Sequence, residues 1–320
     1  MTNTSQRAPG EGEMIPFVLD GPSGARSRVV LIASDASEPS DSAIRFGVTL
    51  ARERGAYPAL VSVLVPAPSV TPPVGGGIVV VPTDASTPAR REKRRVELER
   101  QLLDVAGPDA NWPSTISMGI PAFEVEESVR ENDAALVVLG LRAHTTVQRI
   151  FRQDVVLDVV RTSSVPVLGV IPTLERLPRR VLVATDFSRA SGRAALAAAA
   201  VVGAEAEIVL AHVAPPGTHP PSEDAEGGRL VRELGIASAF EGLMRELSTS
   251  TTGVTWTPTV VEGDPCDVLL DLAARTGAEL LAVGTHRRTG VERFFLGSVT
   301  QALLRAATCS VLSARGEIVR

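Results

Sequence analysis

At 320 residues, the chain is long enough for about two ordinary domains, each with its own core. A hydrophobic content of 44%, a charged content of 22% and a net charge of −5 describe a folded chain with no global attraction to nucleic acid or anionic lipid. The longest wholly apolar run, Ala194 to Val202, is about half of what a membrane span needs. Two cysteines, Cys266 and Cys309, are too few for a disulfide framework; each lies in an apolar setting that suggests a small buried thiol in the cytoplasm.

In chain order, residues 1–26 combine Gly, Pro, Ser and Glu without the basic start or apolar core of a signal peptide, and are expected to form a disordered tail. A first domain is expected over 27–172. It opens with the strand-like "RVVLIASDAS" at Arg28, followed by the Pro- and Gly-rich "PAPSVTPPVGGG", expected as a flexible surface loop, and a long helix near Arg91 to Ala106. Residues 173–179 read as a short, charged, proline-bearing linker. A second domain is expected over 180–320, with strands at "RVLVA", "EIVLAHV", "VTWTPTVV", "ELLAV" and "SVLSA". These near-continuous apolar runs suit strands buried on both faces. Between them come an Ala-rich helix after Ser191, a long amphipathic helix, and shorter helices after Pro265 and Ser298. The long helix shows its period in Ile236, Phe240, Leu243 and Leu247.

The two domains are copies of one unit. Ile116 to Gly140 aligns with Val260 to Gly284 without a gap, 144 residues apart, and Asp35 aligns with Asp186 at a separation of 151. The difference lies in the longer middle insert of the first copy. Each copy predicts an α/β fold with five parallel strands in a doubly wound sheet, and such sheets bind ligands outside the carboxyl ends of their strands.

Asp186 directly follows the first strand of the second copy, where a carboxylate either receives hydrogen bonds from a ligand or, with Ser188, caps the next helix. Gly284 ends the fourth strand, and Gly297 and Ser298 open the last helix. Glycine permits close backbone approach, and a helix N-terminus offers free N–H groups, so these are parts of a phosphate cradle; the plainer reading is a loop glycine followed by an N-cap serine. His286, Arg287, Arg288 and Arg293 add positive charge between them.

"VLVATDFSRASGRAAL", "GDPCDVLLDLA" and "GTHRRTGVERFFLGSVTQALL" resemble the universal stress protein domain, whose nucleotide-binding members carry G-x-x-G, nine residues, then G-S or G-T. The resemblance covers Ser27 to Val170 and Arg179 to Arg315, making the chain similar to a tandem member with two Rossmann-like, adenine nucleotide alpha hydrolase-like domains. It implies that Asp186 contacts the nucleoside, that backbone near His212 and Val213 lies against adenine, and that Gly284, Gly297 and Ser298, with Val299 and Thr300, surround the phosphates. Arg287 replaces the second motif glycine, either filling the pocket or turning outward to pair with a phosphate. In the first copy Gly140 remains, but Ala143 replaces the second glycine and Gln153-Asp154 replaces Gly-Ser, so no nucleoside triphosphate is expected there. The resemblance also implies that the copies pair through "VPVLGVI" and "CSVLSA" as an internal pseudo-dimer; a homodimer of whole chains is a separate alternative that composition does not decide.

Of the four histidines, His144, His212, His219 and His286, none belongs to an H-E-x-x-H array, and no Walker lysine follows a glycine-rich loop. A zinc site from His212, His286 and Cys266 is the weaker alternative for these residues. The expectation is a non-catalytic protein binding ATP, or ADP or AMP, with accompanying Mg, and acting on an unknown protein partner. An interaction scaffold whose two sites have both decayed is the alternative, and a nucleotidyl-transfer enzyme lacks its H-x-G-H type motif.

Overall fold

The first copy builds β1 (Leu19–Asp20), β2 (Arg26–Ser27), β3 (Val29–Ala33), α1 (Glu38–Arg54), β4 (Tyr57–Leu64), β5 (Ala67–Val70), β6 (Val80–Thr83), α2 (Pro88–Ala106), β7 (Ser114–Met118), α3 (Pro121–Glu131), β8 (Leu136–Gly140), α4 (Arg149–Thr162) and β9 (Val167–Val170). The second builds β10 (Arg180–Ala184), α5 (Arg189–Ala200), β11 (Ala206–Ala214), α6 (Ala225–Ser250), β12 (Val254–Glu262), α7 (Pro265–Thr276), β13 (Leu280–Thr285), α8 (Ser298–Ala306) and β14 (Ser310–Arg315). This computed structural model describes residues 17–70, 80–83, 88–141, 149–214, 225–285 and 297–316.

Ten strands form one sheet in the order β12-β11-β10-β13-β14-β9-β8-β3-β4-β7. Every pairing is parallel except that of β14 with β9, which is antiparallel and joins the copies through Val311 opposite Gly169 and Leu312 opposite Leu168. Within each copy the strand order reverses beside its first strand, between β3 and β8 and between β10 and β13, which opens a crevice at the carboxyl ends there.

On one face a single apolar core runs through both copies, from Phe46 and Leu50 of α1 to the alanines of α5 and to Phe240 and Leu247 of α6. The other face carries two cores. One is built on Val125 and Val129 of α3 with Leu157 and Val160 of α4, the other on Leu269 and Leu272 of α7 with Leu303 of α8. The predicted period of α6 is the one used, since Phe240 and Leu247 are buried and Ile236 and Leu243 pack against the same core.

Four expectations change on folding. Of the residues placed in the tail by composition, those from 17 to 26 carry β1 and the start of β2, which pair, and Phe17 is wholly buried in the shared core. The Pro- and Gly-rich insert contributes a strand, β5, which pairs antiparallel with β6. The Ala-rich helix starts at Arg189, before Ser191, because Ser188 caps it. β12 is half-exposed along its length and pairs only with β11, so it is an edge strand; Pro258 is accepted there because an edge residue can lack its N–H without breaking a ladder.

Candidate functional site

β10 ends at Ala184, opposite Val283 of β13 and Ala211 of β11, so Asp186, His212 and Gly284 share one carboxyl edge beside the switch point. Between strand and helix the chain makes a tight turn: Phe187 takes a left-handed conformation with φ of 62°, and its N–H donates to Thr185 Oγ1 at 3.0 Å. Asp186 Oδ1 accepts from Ser188 N at 3.1 Å, and Ser188 Oγ accepts from Ser191 N at 3.3 Å. Of the two residues proposed as caps, Ser188 is the N-cap of α5, and the exposed Asp186 shapes the turn leading into it.

The His212 ring is half-buried and faces α6. Nδ1 donates to the Thr185 carbonyl at 2.9 Å, and the ring lies 4.7 Å from that of Phe187, which in turn meets Phe240 edge-on at 4.9 Å. Val213 points the other way and packs against the core under α7. The aromatic wall at Phe187 and Phe240 was not singled out from the sequence. The matched spacing of Ser34-Asp35-x-Ser37 and Thr185-Asp186-x-Ser188 in the two copies was the available signal for this turn.

Gly284 has a packing reason of its own. A Cβ there would lie 2.5 Å from Ser191 N and 2.6 Å from the Ala190 carbonyl carbon, so β13 and the first turn of α5 touch backbone to backbone. In the first copy Gly140 meets Pro39 O at 1.9 Å on the same test. At the head of α8 the N-cap is Gly297, with no side-chain cap bond, so Ser298 is the first helical residue and does not cap the helix. Gly297 and Ser298 are exposed, Val299 packs into the core under α7, and Thr300 is buried. Arg287, with His286, Arg288 and Arg293, lies outside the described residues, as do His144, Ala143 and His219.

The first copy differs in its backbone. Asp154, which aligns with Ser298, lies inside α4, since that helix begins at Arg149, so the chain N–H groups at this point are engaged within a helix and no N-terminus opens here. Asp35 Oδ1 accepts from Ser37 N at 3.1 Å and from Ser40 Oγ at 2.8 Å, and also from the Ser37 hydroxyl.

Cys309 is buried, and burial pushes its thiol pKa up to about 11. Cys266 departs from expectation: it is half-exposed in the first turn of α7, its thiol raised by partial burial and then by Asp264 and Asp267. It sits on the helix layer opposite His212, which separates two of the three residues of the zinc alternative, and no group of three possible metal ligands occurs among the described residues.

A profile of the universal stress protein family matches residues 27–170 and 178–315. The chain belongs to the universal stress protein family. It is a tandem member, and curated relatives span one copy at a time: a universal stress protein of Methanocaldococcus jannaschii is 29% identical over 148 residues, covering 45% of this chain and 86% of that one. A universal stress protein of Mycobacterium tuberculosis is 32% identical over 143 residues, covering 42% and 94%. Two solved structures match the tandem fold at low identity. A universal stress protein from Archaeoglobus fulgidus covers 91% of this chain and 99% of its own with a TM-score of 0.59 at 20% identity. A functionally unknown protein from Pseudomonas aeruginosa covers 91% and 93% with a TM-score of 0.55 at 12% identity. No helix among the described residues is long and apolar enough to cross a membrane.

Proposed function

We propose that this tandem universal stress protein binds one adenine nucleotide per chain, in its C-terminal copy, and acts as a non-catalytic, cytoplasmic regulator of the stress response through a protein partner. ATP, with accompanying Mg, is the first choice of ligand, and ADP and AMP are the alternatives. The observation that carries this reading is the contrast at one aligned position. In the C-terminal copy, α8 opens on the exposed pair Gly297 and Ser298 with no side-chain cap bond at its N-cap, whereas the aligned residues of the N-terminal copy lie within α4. Free N–H groups and the positive end of a helix dipole favour phosphate, and an uninterrupted helix offers neither.

Asp186, exposed beside this crevice, is the residue proposed for the ribose. Backbone at His212 and Val213 is proposed to lie against the base. Arg287 is proposed to pair with a phosphate.

Calorimetric titration of nucleotide-stripped protein with ATP tests the reading. One site per chain, abolished by Ser298→Asp, supports it. Two equivalent sites would overturn the silence of the N-terminal copy. No heat from the wild type, with binding restored by Arg287→Gly, would leave an interaction scaffold whose crevice is closed by one side chain.

A further inference from the structure

The two copies differ in what covers the end of their first strand. In the C-terminal copy Thr185 Oγ1 bonds within its own turn, to Ser191 Oγ at 3.2 Å and to Phe187 N. In the N-terminal copy the equivalent Ser34 donates across 67 residues of sequence to Gln101 Oε1 of α2 at 2.6 Å. The same carboxamide then spends both of its donors on the crevice wall, Nε2 reaching Ser37 O at 3.0 Å and Asp41 Oδ1 at 2.6 Å. Gln101 is only 9% exposed, so this is a buried amide with its acceptor and both N–H groups used.

We infer that α2, through Gln101, is a built-in occupant of the N-terminal copy's strand-end crevice, holding it closed against a nucleoside independently of the loss of the phosphate cradle. A nucleoside entering beside Asp35 would have to displace three hydrogen bonds, the one to Ser34 buried and those to Ser37 and Asp41 part-buried, and it would recover them only with an equally matched set of donors and acceptors. The contact also ties the first turn of α1 to α2, holding this half in one arrangement whether or not ligand is present. Beside it, a groove of about 340 Å³ between the two helices, lined by Ala36, Ser37, Asp41, Arg100 and Gln101, marks the way in once the amide is withdrawn. The inference deepens the proposed function, since it takes the crevice of each copy as a nucleoside site.

Adenosine is the probe, because it needs no phosphate cradle. Equilibrium dialysis of the full chain would count bound adenosine in Asp186→Ala, in Asp186→Ala with Gln101→Ala, and in Asp186→Ala with Gln101→Glu, which keeps the side-chain length but removes both donors. Hydrogen exchange over residues 35–41 and 186–192 would be followed in the same proteins. The expected result is no adenosine in the single variant, one per chain in each double variant, and at least tenfold faster exchange confined to residues 35–41. Unchanged exchange at 35–41, or faster exchange with no adenosine gained, would overturn the inference. A wild-type chain that binds no adenosine while the Gln101 variants bind one would sink the proposed C-terminal site alone and leave this inference standing.

Discussion

Arg54 of the first copy lays its guanidinium against the carboxyl end of helix α5 in the second, Nη1 donating to Val202 O at 2.8 Å and Nη2 to Ala199 O at 3.4 Å. Both acceptors lie at a helix end, where carbonyls lack intrahelical donors, and the residue is 8% exposed. The second copy answers with Arg315, whose guanidinium donates to Thr162 O at the end of α4 at 3.4 Å. Each copy thus supplies donors to a helix terminus of the other, on either side of the β9–β14 seam. Burial lowers the Arg54 pKa, an effect that the neighbouring Glu53 opposes.

Removing the Arg54 clamp leaves buried carbonyls without donors. Arg54→Met, which keeps the apolar stem, is expected to cost about 1–3 kcal/mol. Urea unfolding of the two proteins measures this, and an unshifted midpoint would mean that the α5 carbonyls are satisfied by solvent.

Gly284→Ala separates packing from ligand binding. Its new methyl would meet the backbone of Ala190 and Ser191, which belongs to a packed helix and has no rotamer in which to yield. A loss of about 1–3 kcal/mol or more is expected in the absence of any nucleotide. If thermal unfolding of the apo protein is unaffected while ATP binding is lost, the glycine serves the ligand alone.

The two copies carry a natural comparison of helix caps. Asp264 caps α7, its Oδ1 accepting from Cys266 N at 2.9 Å and Asp267 N at 3.3 Å, whereas the aligned Ile120 heads α3 with no side-chain bond and is 61% exposed. Ile120→Asp is expected to stabilise by about 1 kcal/mol and Asp264→Ala to destabilise by about as much. Guanidinium denaturation checks both, and a destabilising Ile120→Asp would show that the isoleucine covers apolar surface in solution.

Cys309 predicts an alkaline limit. Its thiol, near 9.0 when unfolded, is pushed up to about 11 by burial, so the folded protein keeps this proton to higher pH than the unfolded chain does. The resulting stability is fully present below about pH 9 and falls as pH rises towards 11, by about 2–3 kcal/mol in all. The difference between wild type and Cys309→Ala, measured by denaturation from pH 8 to 11, should shrink by that amount; a constant difference would contradict the shift.

Much was legible without the fold. The repeat, the apolar runs of the inner strands, the period of α6 and the placement of Asp186, Gly284 and Gly297 at strand and helix ends all depend on residues near one another in sequence, where local pattern reports local geometry. The aligned residues also exposed the divergence between Gly297-Ser298 and Gln153-Asp154.

Pairing and packing decided the rest, because they join residues that no local pattern links. β12 has the composition of an inner strand, and only the sheet order makes it an edge. Ser188 and Asp186 are both good capping types, and only the left-handed turn at Phe187 assigns the cap to Ser188. Gly284 has a packing reason that appears only once α5 lies against it, and Phe17 belongs to an apparent tail until the core shared by both copies closes over it. The sequence by itself determined two α/β copies and where their crevices open; the tertiary structure decided that they form one sheet, that α4 runs through the position where α8 begins, and that Gln101 bonds to Ser34, Ser37 and Asp41 from a helix far along the chain. Those outcomes depend on which surfaces meet once each element has buried its apolar face, and the chain order of residues does not encode that separately from the fold.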